Sequence, residues 1–87
     1  MRRSIDDQPF DEAADPVLAE DPDIPRLSWA VAIADDYEDA EPRVVLTVEE
    51  VGRAGAGLVL HLGPAAARRL RVAVRDALRE IGADPGA

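Results

Sequence analysis

His61 is the only histidine in the chain and the side chain best suited to moving protons near neutral pH. A catalytic histidine needs a nucleophile to activate and a third group to orient it. The hydroxyls on offer are Ser4, Ser28, Thr47 and Tyr37. Ser4 lies in an acidic N-terminal stretch, and Ser28 and Thr47 fall in segments that read as strands. No Ser/His/Asp order here carries the local context of a hydrolase. The sequence has no cysteine, which removes thiolate chemistry, thiolate metal ligands and disulfides. His61 therefore reads as a structural or interface residue, and no catalytic residue, cofactor site or metal ligand is assigned.

Three other groupings could hold a ligand. Asp35, Asp36, Glu38, Asp39 and Glu41 offer oxygen ligands for a hard cation. They lack the alternate spacing and central glycine of an EF-hand loop, so they read as a solvated loop, with Tyr37 as its contact residue. Gly52, Gly55 and Gly57 resemble a phosphate cradle only in composition. Such a cradle follows a strand and opens a helix, whereas these glycines join two strands. Arg68, Arg71, Arg75 and Arg79 recur at helical spacing and form a basic stripe. Guanidinium groups in such a row suit phosphates or a carboxylate-rich partner. The bland reading is the charged outer face that any solvent-facing helix carries.

The elements that position these residues follow from periodicity. Leu27, Trp29, Val31 and Ile33 alternate with Ser28, Ala30, Ala32 and Ala34, predicting a strand at about 27–34. Val44, Leu46 and Val48 alternate with Val45, Thr47 and Glu49, and Leu58, Leu60 and Leu62 with Val59 and His61. These predict strands at about 44–51 and 58–62. Gly63-Pro64 ends the last strand, and proline suits the first helical position. From Pro64 to Ile81, the residues Ala66, Ala67, Leu70, Ala73, Val74, Ala77, Leu78 and Ile81 share one side of a helix. Gly82 is placed to end it. The expected fold is α+β: a three-stranded antiparallel β-meander with one C-terminal amphipathic α-helix packed on its leucine face. Trp29 and the hairpin leucines are expected in the core.

Composition bounds the rest. Eighty-seven residues make one small domain, and the net charge is −8. Residues 1–50 hold 15 acids and four arginines, a balance of −11; residues 51–87 hold three acids and six arginines, a balance of +3. That acidity disfavours non-specific attraction to nucleic acid or anionic membrane. No stretch approaches the roughly 20 apolar residues of a membrane span. Arg2-Arg3 leads into Ser4-Ile5-Asp6-Asp7 and not into an apolar run, so no secretory signal is read and a cytoplasmic setting is expected. All ten basic residues are arginine, a bias resembling proteins of GC-rich bacterial genomes. Residues 1–25 are acidic and broken by Pro9, Pro16, Pro22 and Pro25, so a disordered tail is expected there. Residues 83–87 are expected to be disordered too.

A single helix covers one sheet face only. The other, with Ala30, Ala32, Val45, Thr47, Val59 and His61, is too apolar to face water. It is the expected face of a homodimer. Gly55-Ala56-Gly57 before a strand, and the alanine-rich helix of Ala65 to Leu78, resemble the C-terminal two-thirds of double-stranded RNA-binding domains. The basic cluster those domains place at the helix start is Pro64-Ala65-Ala66-Ala67 here. The expected function is a small non-enzymatic accessory or regulatory protein that acts on an unknown protein partner. The alternative is a nucleic-acid-associated regulator, an RNA binder or antitoxin-like protein, using the helix arginines on phosphate.

Overall fold

The computed structural model describes residues 1–9, 20–52 and 57–86. It is an α+β arrangement of four antiparallel strands and one C-terminal helix. In chain order the elements are β1 (Arg2–Gln8), β2 (Leu27–Ala34), β3 (Arg43–Glu50), β4 (Leu58–Leu62) and α1 (Pro64–Glu80). The strands lie side by side in the same order, β1-β2-β3-β4. Of the tail and terminus expected to be disordered, residues 10–19 and 87 fall outside the described residues.

The sheet has four strands, not three. The extra strand, β1, comes from the stretch expected to be disordered. Arg2 pairs with Ala34, Ser4 with Ala32 and Gln8 with Trp29, with an irregularity between Ser4 and Asp6. Every residue of β1 is exposed. Its attachment is therefore the backbone ladder with β2, and it has no buried face for a hydrophobic period to mark.

Register fixes the two sheet faces. Trp29 faces Val48, Val31 faces Leu46 and Ile33 faces Val44. Val44, Leu46 and Val48 in turn face Leu62, Leu60 and Leu58. These residues line one side, the leucine face. Ala30, Ala32 and Ala34 with Thr47, Val45 and Arg43, then Val59 and His61, line the other, the alanine face.

The core lies on the unexpected side. Among the described residues the buried apolar ones are Ala34 and Val45, both on the alanine face. Trp29 is 40% exposed, Leu60 53% and Leu58 79%. No residue of α1 is buried, and Leu70, Val74 and Ile81 of its apolar stripe are 41%, 53% and 78% exposed. The expected packing of helix on leucine face is thus not made within the chain. One residue, Gly63, separates the edge strand β4 from the helix, which touches only β3 and β4. So short a link, leaving from the sheet margin, lets the helix depart without folding back.

The helix ends are well defined. Pro64 occupies the first turn, and the Ala67 N–H donates to the Gly63 carbonyl at 2.9 Å. At the other end Gly82 sits at φ 75°, where a Cβ would be strained. Its N–H donates to the Arg79 carbonyl at 3.0 Å, and the Ala83 N–H to that of Leu78 at 2.9 Å. This double closure is the Schellman arrangement.

The chain is spread out for its size. Its radius of gyration is 15.1 Å and its extents are 44 × 33 × 18 Å. A compact chain of this length has a radius near 12 Å. Among the described residues no helix is long and apolar enough to cross a membrane.

Candidate functional site

Two surfaces stand out: a polar corner on the alanine face, and the open leucine face with the helix stripe beside it.

The corner is built by the β2–β3 loop and the ends of β3 and β4. The Tyr37 N-terminal to the loop's tip folds so that the Ala40 N–H donates to the Tyr37 carbonyl at 3.0 Å. Tyr37 Oη then lies 2.7 Å from His61 Nδ1, and the two rings meet edge to face with centroids 5.5 Å apart. The Arg43 guanidinium carbon sits 4.4 Å from the Tyr37 ring centroid, a cation–π arrangement. Arg43 also donates through Nη1 and Nη2 to Asp39 Oδ1 and Oδ2 at 2.9 and 2.7 Å. This bidentate pair, with the Glu41 N–H donating to Asp39 at 3.1 Å, holds the Asp39 carboxyl down to about 2. The same carboxylate raises the Arg43 guanidinium.

The corner and the core are neighbours by register. Ala34 pairs across from Arg43, and Val45 across from His61, on one face. The two buried side chains thus adjoin the Tyr37–Arg43–His61 group, which reads as a polar cap over a small core. The phenol can donate to or accept from Nδ1, according to the imidazole tautomer. His61 is partnered by Tyr37 and by neither serine nor threonine. Ser28 instead donates to the Glu49 carbonyl at 3.5 Å, at the far end of the sheet.

Two of the loop carboxylates are engaged within the chain. Asp39 holds Arg43, and Asp35 pairs with the Met1 amino group, which lowers the Asp35 carboxyl and raises the amine. Among the described residues no group of three or more histidines and acids is placed to hold a metal ion.

A pH prediction follows from Asp39. Its carboxyl is depressed in the folded chain, so the pair contributes stability above the ordinary value of 3.8, and the contribution is lost as pH falls through about 2. In a carboxyl-detected NMR titration Asp39 is expected to titrate near 2. Arg43→Gln should move it most of the way to 3.8, the rest being held by the Glu41 N–H.

Ala40 gives a second prediction. It lies at φ 56°, in the left-handed region. A side chain there costs about 1 kcal/mol relative to glycine. Ala40→Gly is therefore expected to raise thermal stability by up to about 1 kcal/mol, partly offset by the glycine's entropy. A fall in the melting midpoint would contradict this account of the loop.

The sequence-predicted residues fall as follows. Val45 is buried within the chain; Ala30, Ala32 and Thr47 are half-buried; Val59 and His61 are exposed, at the β4 margin. Of the helix arginines, Arg68, Arg71 and Arg79 are exposed and Arg75 is half-buried, with its Nε 3.3 Å from Asp76 Oδ1. Sequence reasoning passed over Arg43, and weighed Asp39 only among the loop carboxylates and not as its partner. Their spacing of four was a visible signal for an ion pair, but it sits in a loop where periodicity gives no guidance.

The leucine face is the larger feature. Leu27, Trp29, Leu58 and Leu60 are all at least 40% exposed, and so are Leu70, Val74 and Ile81 of the helix. No family model matches the chain, and neither a curated protein nor a solved structure matches it. The functional reading rests on these surfaces.

Proposed function

We propose that this protein is a non-enzymatic accessory or regulatory module of the cytoplasm that works through protein–protein association, beginning with association of two copies of itself. The observation that carries the reading is the pair of apolar surfaces left open in one chain. The chain exposes 6873 Å², against about 5,000 Å² for a compact monomer of its 9.3 kDa mass. The surplus is about 1,900 Å². Part of it belongs to loops, but burying even half of it in each of two chains gives roughly 1,900 Å² in all, within the range of specific interfaces.

The two surfaces suit one another. The 17-residue helix is about 25 Å long, enough to lie across a four-stranded sheet of roughly 14–19 Å. Its alanines allow close approach and its Leu70, Val74 and Leu78 supply the larger contacts. A helix from one copy on the leucine face of the other restores the layering that a helix and a sheet need.

Sedimentation equilibrium over a wide concentration range tests the reading. A mass of twice the 9.3 kDa chain is expected, and a monomer at every concentration would overturn it. Leu70→Ala combined with Val74→Ala should weaken the dimer. At roughly 1 kcal/mol per side chain, counted in both copies, the loss is about 4 kcal/mol, or near a thousandfold in the dissociation constant. Unchanged affinity would exclude the helix stripe from the interface.

The nucleic-acid alternative has less support. Arg75 contacts Asp76 on its own helix, and the chain as a whole carries −8. Its signature would be binding to nucleic acid that falls steeply with salt.

A further inference from the structure

We infer that two copies of this chain join through β4, edge to edge, around a two-fold axis at Leu60, so that two four-stranded sheets become one of eight. The inference rests on the self-association proposed above and adds the seam at which it occurs.

The two margins of the sheet are built differently. Strand margins carry unpaired N–H and C=O groups and attract other strands, and proteins blunt them with charge, bulges or proline. The β1 margin is blunted. It carries Arg2, Arg3, Asp6 and Asp7 in seven residues and breaks register between Ser4 and Asp6. The β4 margin carries none of these devices. Its five residues are Leu-Val-Leu-His-Leu, without formal charge at neutral pH, proline or irregular register against β3. Among the described residues no strand pairs with its outer side. Its apolar side chains are also open, with Leu58 at 79%, Leu60 at 53% and Val59 at 45% exposed.

The occupant that fits this margin is a second copy. Leu58-Val59-Leu60-His61-Leu62 reads alike in both directions as leucine at the ends and the centre. Antiparallel pairing centred on Leu60 sets Leu60 against Leu60, Leu58 against Leu62 and Val59 against His61. A two-fold axis normal to the sheet keeps each side chain on its own face. The leucine faces of the two copies then merge into one apolar surface, with six β4 leucines across its middle. That surface is what the two helices have to cover.

In the joined sheet the two β1 strands lie at the outer margins, about seven strand spacings or roughly 33 Å apart. The seam buries little by itself, so it sets the register while the helix stripe and the leucine face supply most of the area.

The absence of cysteine from the sequence makes the test direct. Single-cysteine variants of the full chain are oxidised under mild conditions or treated with a short bismaleimide, and covalent dimer is followed with time. Directly opposed residues on antiparallel strands bring their Cβ atoms to about 4.5–5.5 Å, near disulfide reach. Leu60→Cys is expected to cross-link at least tenfold faster than Val31→Cys, in the middle of the leucine face, or Arg3→Cys, on the other margin. Val59→Lys places a charge at the seam on a side chain that is open in the single chain, and is expected to shift the dimer to monomer. Val59→Thr should keep the dimer.

The outcomes separate the two readings. A wild-type chain that is monomeric at all concentrations overturns both. A dimer in which Leu60→Cys cross-links no faster than the other two variants overturns the β4 seam alone. A folded Val59→Lys variant that stays dimeric does the same. If Val59→Lys fails to fold by circular dichroism, the cross-linking rates decide.

Discussion

The melting midpoint of the wild-type chain is expected to rise with its concentration. Among the described residues of one copy the buried apolar side chains are Ala34 and Val45. So small a core leaves little to set against the entropy of ordering the chain. On the proposed self-association, most of the stability comes from contacts between copies, which obey mass action. Each tenfold rise in concentration is worth about 1.4 kcal/mol, which for a dimer of this size moves the midpoint by about 3–6 °C. Differential scanning calorimetry over two decades of concentration measures this. A midpoint that does not move means that each copy is complete alone, and the open leucine face is then an ordinary exposed surface.

Two aspartate substitutions, chemically the same and structurally opposite, should part company. Val45 is 1% exposed and Leu58 is 79% exposed. Val45→Asp puts a carboxylate where no cation of the corner is free to meet it, since Arg43 is held by Asp39. An unpaired buried charge costs several kcal/mol, which is comparable with the whole stability of a small domain. No cooperative transition is expected for Val45→Asp at any concentration. Leu58→Asp leaves the single copy nearly undisturbed, with a change within about 0.5 kcal/mol, because the new charge stays in water. Its cost falls on association. The midpoint should drop to that of dilute wild type and lose its dependence on concentration. If Leu58→Asp instead matches wild type at high concentration, the leucine face is not used.

The parts of the fold that were legible in the sequence are those with a buried or half-buried period. Alternation at Leu27–Ala34, Val44–Val48 and Leu58–Leu62 named three strands, and Pro64 and Gly82 bracketed the helix. Strand β1 was hidden because its partner is a backbone and its side chains carry no pattern. Which face the helix covers was hidden for another reason. Periodicity shows that Leu70 and Val74 need a cover and that Leu58 and Leu60 do too. It says nothing about whether the two needs are met in one chain or between two. The single-residue link at Gly63 sets where the helix leaves the sheet margin, a matter of geometry that periodicity does not carry. The corner was half legible. Tyr37 and His61 were each singled out, 24 residues apart, but only the β3–β4 register and the turn at Ala40 bring them to 2.7 Å.

The way β1 is held has a consequence for what this chain tolerates. A segment gripped along its main chain, with every side chain turned to water, is selected for shape and hardly for letters. Most single residue changes between Arg2 and Gln8 should leave the pairing with β2 intact, provided proline stays out of the positions that donate to β2. Such a slot is also indifferent to whose peptide fills it. A foreign extended segment of unrelated sequence could compete for the groove beside β2, and the chain's own first residues would then be set loose.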